Sequence, residues 1–294
     1  MSSLTQFDTL EPFASNENHI EILKSVNSLL KESKETQWED HIKGIDILRR
    51  LYKYEKLLLF KLIHDLELKD IIGNFITSIR TARAKAAIQF VREIFSQYEF
   101  EFNANNEPIE LVSLVVFFLP RILKVSCSDK AFLRDEANKC LSAISSNMFY
   151  GKTIIVLLKE CADKNQKQAD IAFNTLINLL NNFERNYLCY YTHWELIFAG
   201  LVNIFLIKKD FYQKKTGRLV LLLEEIISRE RYGEILRRDC PEEDRTILEQ
   251  AVAYYRTKVL DKGTTNPTSK TIKDFIKASK EKNTLKGGLN IEIV

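Results

Sequence analysis

Apolar residues recur at three- and four-residue steps along almost the whole chain, and that rhythm stops and restarts at intervals of roughly 35–50 residues. The spacing predicts paired helices at about 17–33 with 38–54, 56–78 with 80–99, 107–126 with 130–147, 151–162 with 165–183 and 190–207 with 210–229. A further helix is expected over about 241–260, where Pro241 and the acids after it suit a first turn. The second members show the buried stripe most clearly. Ile42, Ile45, Leu48 and Leu51 mark one, Ala84, Ala87, Val91, Ile94 and Tyr98 the next, and Leu133, Ala137, Leu141, Ile144 and Met148 the third.

A helix with one apolar stripe must bury it against a neighbour, and pairs repeated at this period do so by stacking. The period is that of HEAT or armadillo repeats. The expected fold is therefore all-α, a HEAT-repeat α-solenoid of about five to six helix pairs over residues 16–261. Only 9 Gly and 5 Pro in 294 residues fit a chain with few turns. Residues 1–15 read as an N-terminal tail. Residues 262–294 turn polar and basic and read as a second tail with one short helix around Lys270–Lys282.

Charge and cysteine usage narrow the function classes. The 43 basic and 40 acidic residues give a net charge of +3, too balanced for a surface devoted to nucleic acid. Any basic site must be local. The five cysteines, Cys127, Cys140, Cys161, Cys189 and Cys240, are odd in number and include no CxxC pair, which points to reduced thiols. The opening residues lack a signal-peptide pattern, and apolar runs such as "LVSLVVFFL" are too short to span a bilayer. A cytoplasmic protein without a membrane role is expected.

The second helix of each pair starts in an unusual way. Trp38 opens the first, Arg80, Arg83 and Lys85 the second, and Lys130 and Arg134 the third. Lys164 and Lys167 flank the fourth, and Lys208, Lys209, Lys214, Lys215 and Arg218 surround the fifth. Cations at a helix N-terminus oppose the helix dipole and cost about 0.3–1 kcal/mol each. Their repetition along the one edge where all intra-pair turns emerge reads as a ladder facing a large acidic partner.

Three stretches carry a family resemblance: "QWEDHIKGIDILRRL" (37–51), "SIRTARAKAAIQFVREIF" (78–95) and "CSDKAFLRDEANKCLSAI" (127–144). They resemble the tubulin-binding turns of TOG domains, closest to the crescerin branch and more distantly the CLASP branch. The resemblance covers about 35–185. It implies a partner in tubulin or the microtubule wall, other axonemal proteins as further partners, and a ciliary or axonemal location. It assigns Trp38, Arg80, Thr81, Arg83, Lys85, Lys130 and Arg134 to the first three contact turns, and Lys164, Asn165, Lys208 and Lys209 to the fourth and fifth. In the fourth turn the match stops at Lys164 and Asn165, because Ala169 and Asp170 stand where the family has Val-Arg.

Other readings stand beside this one. Trp38 also suits a buried aromatic, and Arg134 also suits a partner along its own helix. The alternative function is a HEAT/armadillo scaffold whose concave face grips another protein, and a third is single-strand nucleic-acid binding through the basic tail. Catalysis has no support. There is no phosphate-binding Gly-rich loop, no G-x-S-x-G and no H-E-x-x-H, and no cofactor is implied. His41, beside Asp40, is expected on an exposed face.

Overall fold

The computed structural model describes residues 6–14, 18–96, 109–148, 150–182, 188–189 and 191–260. They hold thirteen α-helices and no strand. In chain order these are α1 (His19–Asn27), α2 (Trp38–Tyr54), α3 (Lys56–Asp65), α4 (Leu68–Ile76), α5 (Thr81–Ser96), α6 (Ile109–Ser126) and α7 (Ala131–Asn147). Then follow α8 (Gly151–Cys161), α9 (Gln166–Asn182), α10 (Trp194–Phe205), α11 (Asp210–Ile227), α12 (Arg229–Asp239) and α13 (Glu242–Tyr255). None is long and apolar enough to cross a membrane.

The helices stack as antiparallel pairs, and the second members α2, α5, α7, α9 and α11 stand side by side. Their periodic stripes explain the order. Leu48, Ala87, Val91, Ala137, Ile144, Leu176 and Leu219 each turn inward and are almost completely buried, joining one continuous core with the first members of the pairs. The architecture is an all-α helical-repeat solenoid, as the sequence period requires.

Polar links reinforce the stacking of the second members. Arg49 on α2 forms a two-pronged pair with Glu93 on α5, at 2.7 Å for each prong, and Tyr52 Oη donates to the Ile94 carbonyl at 2.8 Å. Arg92 on α5 reaches Glu136 on α7 at 3.0 Å, and Lys215 on α11 reaches Asp170 on α9 at 2.7 Å. A different device joins the last elements. Gly217 on α11 lies so close to α13 that a methyl group there would stand 2.3 Å from the Ala251 carbonyl oxygen.

Two expectations need correction. The single helix expected over 56–78 is two, α3 and α4, broken where Glu67 adopts a left-handed conformation with φ 52°. The bend lets Leu59 and Leu62 before it and Leu68 and Ile72 after it enter one core. The N-terminal tail expected over 1–15 is, within residues 6–14, a packed strap. Arg50 donates to the Glu11 and Pro12 carbonyls at 3.1 and 3.0 Å, and Lys53 to those of Asp8 and Leu10 at 2.8 and 2.9 Å. Leu10 is buried and the Phe13 ring lies 4.0 Å from the Arg50 guanidinium. Tyr98, expected in the second stripe, and the basic tail expected over 262–294 lie outside the described residues.

Candidate functional site

The turns joining α4 to α5, α6 to α7 and α8 to α9 share one backbone device. A side-chain oxygen accepts the N–H two residues on: Ser78 Oγ from Arg80 at 3.0 Å, Ser128 Oγ from Lys130 at 3.2 Å, and Asp163 Oδ1 from Asn165 at 2.6 Å. Such local bonds hold a short polar turn open and end the preceding helix. They fix the residue in between and the one that follows on the edge of the solenoid. Ile79 and Arg80, Asp129 and Lys130, and Lys164 and Asn165 are all exposed there.

The predicted cations divide into two groups. Arg80, Lys85, Lys130, Lys164, Lys208 and Lys209 are exposed and take part in no salt bridge among the described residues. Lys85 follows Ser78 by seven residues, the register position that Asp135 holds after Ser128 and Asp170 after Asp163. Arg218 is exposed as well, whereas Arg83, Arg134, Lys167, Lys214 and Lys215 are tied to neighbouring groups. Arg134 is half-buried and donates to the Ser128 carbonyl at 3.2 Å, and Lys167 crosses to the Cys127 carbonyl at 3.0 Å. Lys214 pairs with Asp210 at 2.6 Å and Lys215 with Asp170 at 2.7 Å, so the basic cluster around the fifth turn is partly neutralised.

Arg83 is the clearest bracing residue. It is only 4% exposed, so it does not stand with Arg80 and Lys85 on the edge. Its guanidinium donates to Ser78 Oγ at 2.7 and 3.1 Å and to Glu35 at 2.6 Å, and lies 3.1 Å from His41 Nδ1 and 4.8 Å from the Phe75 ring centre. The Glu35 carboxyl is held below its ordinary pKa by the hydrogen bond and charge of Arg83. One side chain therefore ties the turn before α2 to the turn before α5. It also answers part of the dipole cost, since Glu35 supplies a negative charge near the start of α5.

His41 was expected on an exposed face and is 3% exposed instead. It stacks on Phe75 at 4.7 Å and faces the Ser33 carbonyl through Nε2 at 3.3 Å. A carbonyl only accepts and a guanidinium only donates, so the proton sits on Nε2 and Nδ1 offers its lone pair to Arg83. Burial lowers the imidazole pKa below the ordinary value. The neutral ring is what gives Arg83 an acceptor beneath the surface.

Trp38 opens α2 half-buried, its ring packed against the core, and Thr81 is likewise half-buried at the start of α5. Sequence reasoning missed the apolar members of the edge. Ile79 is 82% exposed beside Arg80, Phe132 is 46% exposed two residues after Lys130, and Leu206 is 52% exposed before Lys208. Their signal was a break in the stripe: each is apolar at a position that the buried face of its helix does not include. The turn before α9 has no such residue, only Lys164 and Asn165.

Three of these turns, before α5, α7 and α11, therefore pair an exposed apolar side chain with a free cation, an edge suited to a protein surface carrying acids among apolar ground. Among the described residues no cluster of His, Cys, Asp and Glu could hold a metal. The cysteines are free thiols; Cys140, Cys161 and Cys240 are buried, and burial pushes the Cys240 pKa to about 11. The arrangement suits a protein-binding scaffold.

No curated protein matches the chain. Among solved structures, an engineered protein is similar at 16% identity with a TM-score of 0.35, over 80% of this chain and 96% of its own. A designed armadillo repeat protein in complex with the peptide (KR)4 is similar at 13% identity with a TM-score of 0.36, over 80% of this chain and 99% of its own. The family model described as CLASP N terminal matches residues 20–201, which is more than half of the chain. The match includes the first four turns, from Trp38 to Asn165, and ends within α10 before Lys208. The chain belongs to the CLASP N-terminal family.

Proposed function

We propose that this solenoid binds tubulin, free or within the microtubule wall, through the turn edge that carries Trp38, Ile79, Arg80, Lys130 and Phe132. The observation that carries the reading is the repeated serine-anchored turn: Ser78 and Ser128 hold Arg80 and Lys130 at equivalent positions of successive pairs. Adjacent helices lie about 8–10 Å apart, so the cations are spaced for a folded acidic surface. The TOG resemblance supports tubulin as that surface and an axonemal location for it. Arg83, Arg134 and Lys167 act in this reading by holding the turns in shape.

The alternative is a scaffold that grips another protein with its concave face and leaves the turn edge unused. Co-sedimentation with microtubules, run beside gel filtration with unpolymerised tubulin, separates the two. The tubulin reading expects the protein to pellet with polymer or to shift with free tubulin. Failure of both at low salt, with a normal helical circular dichroism spectrum, contradicts it.

A further inference from the structure

The second members of the pairs are linked by ion pairs at every junction from α2 to α11 except one. Arg49–Glu93 joins α2 to α5, Arg92–Glu136 joins α5 to α7, and Lys215–Asp170 joins α9 to α11. Between α7 and α9 the described residues form no ion pair. The two helices share the apolar core, and their polar ties among the described residues sit toward the ends: Lys167 Nζ on α9 donates to the carbonyl of Cys127, in the turn before α7, at 3.0 Å, and Asn182 Nδ2 to the Ser145 carbonyl at 3.1 Å. Between these ties lies an open groove of about 250 Å³.

The lining of that groove is uncharged and rich in amides. Asn138 and Ser142 come from α7, Asn174 and Asn178 from α9, with Leu141 and Ile171 as apolar ground. These four are exposed, while Ser145 and Thr175, which also line the groove, are buried and donate their hydroxyls to the Ser142 and Ile171 carbonyls. Asn138 and Asn178 make no side-chain hydrogen bond among the described residues, and Asn174 has only a long contact of 3.5 Å to Asp170. The groove therefore presents to solvent a set of amide donors and acceptors with no strong protein partner and no formal charge.

From this geometry we infer that the α7–α9 groove docks an extended, uncharged segment of a partner protein through that segment's main chain. A side-chain amide presents a donor and an acceptor together, which is the complement of a peptide unit. Asn174 and Asn178 are four residues apart, a rise of about 6 Å along the helix. In an extended chain the N–H and C=O groups on one side repeat every two residues, about 6.6–6.8 Å. The two asparagines thus match successive outward-facing peptide groups, with Asn138 on the opposite wall.

The same chemistry excludes other occupants. A helix satisfies its own main-chain groups and leaves the amides unused. A phosphate or an acidic peptide finds no cation in the lining, and a charged side chain pressed against Leu141 and Ile171 loses hydration without a partner. The volume lies below the roughly 300–1,000 Å³ of pockets for drug-sized ligands and suits a few residues of peptide. This site is separate from the turn edge.

The test selects a phage-displayed library of random twelve-residue peptides on the full chain and measures the enriched peptides by fluorescence anisotropy. Enriched sequences should be uncharged and rich in β-branched residues. They should bind Asn174→Leu/Asn178→Leu at least about tenfold more weakly, the loss of two or more hydrogen bonds at an interface. Both positions are exposed, and Asn174→Ala/Asn178→Ala, which adds no bulk, should show the same loss. Microtubule pelleting should be unchanged in both variants, so that failure here is distinct from failure of the edge. The proposal is overturned by a library that yields no binder, by binders indifferent to both variants, or by binders that are charged or helical. Competition by a synthetic peptide of residues 261–294 would assign the groove to the chain itself and overturn the separate partner.

Discussion

Arg83 Nη1 lies 3.1 Å from His41 Nδ1, and the contact joins residues 42 positions apart at the foot of the turns before α2 and α5. The imidazole accepts only while it is neutral. Protonation would place a second positive charge against the guanidinium and remove the acceptor. Because burial lowers the His41 pKa in the folded protein, the unfolded chain takes up this proton first as pH falls. Stability from this contact is therefore complete above the unfolded value of about 6.5 and declines as pH drops below it.

That linkage predicts a local pH response at the contact edge. In a Trp194→Phe variant, Trp38 is the one remaining tryptophan and reports on the first turn. Its emission should shift as pH falls below about 6.5, and His41→Phe should abolish the shift. The same emission change in the His41→Phe protein would show that another group is responsible.

The Arg49–Glu93 pair is almost fully buried, so breaking it should cost far more than a surface ion pair. Glu93→Leu takes the carboxylate away from two nitrogens of a buried guanidinium and should destabilise the protein by about 3–5 kcal/mol. Replacing both residues, Arg49→Met with Glu93→Leu, should recover most of that loss. Chemical denaturation of the two variants decides it: equal destabilisation by the single and the double change would contradict the account.

Gly217 and Gly233 should respond to alanine with opposite signs. At Gly217 the added methyl meets the Ala251 carbonyl at 2.3 Å and Tyr255 Cβ at 2.6 Å, and the expected loss is about 1–3 kcal/mol. At Gly233 the nearest atom is Arg237 Nη1 at 3.7 Å, so the gain in helix propensity, up to about 1 kcal/mol, should remain. Urea midpoints measure both.

The helix pairs were legible in the sequence because their signal is local: stripes such as Ile42, Ile45 and Leu48 recur within one helix. The positions of Arg80 and Lys130 at the turns were legible for the same reason. The bracing role of Arg83 was not. Its burial depends on Glu35 and His41, which lie 48 and 42 positions away and come beside it only when α2 packs on α5. A basic residue near a helix start reads as solvated until such a partner is known. The strap was missed because Phe7, Leu10 and Phe13 are too few to form a helical stripe, although three apolar residues in a polar stretch were a signal. Nor did Asn138, Asn174 and Asn178 look different from any surface amide, since only the pairing of α7 with α9 makes them walls of one groove.

The central claim is that Arg80 and Lys130 are free cations on a shared binding edge, and charge reversal at both tests it most directly. Microtubule affinity should be measured for wild type, for Arg80→Glu/Lys130→Glu, and for Lys61→Glu/Lys152→Glu, which changes net charge equally at exposed lysines of α3 and α8. Interface residues of this kind commonly cost about 2 kcal/mol or more when lost, which is more than tenfold in affinity. The account predicts at least a tenfold loss for the edge variant and less than a threefold change for the control, with all three proteins equally helical. Equal affinity of the edge variant and the wild type, or equal losses in the two variants, would contradict it.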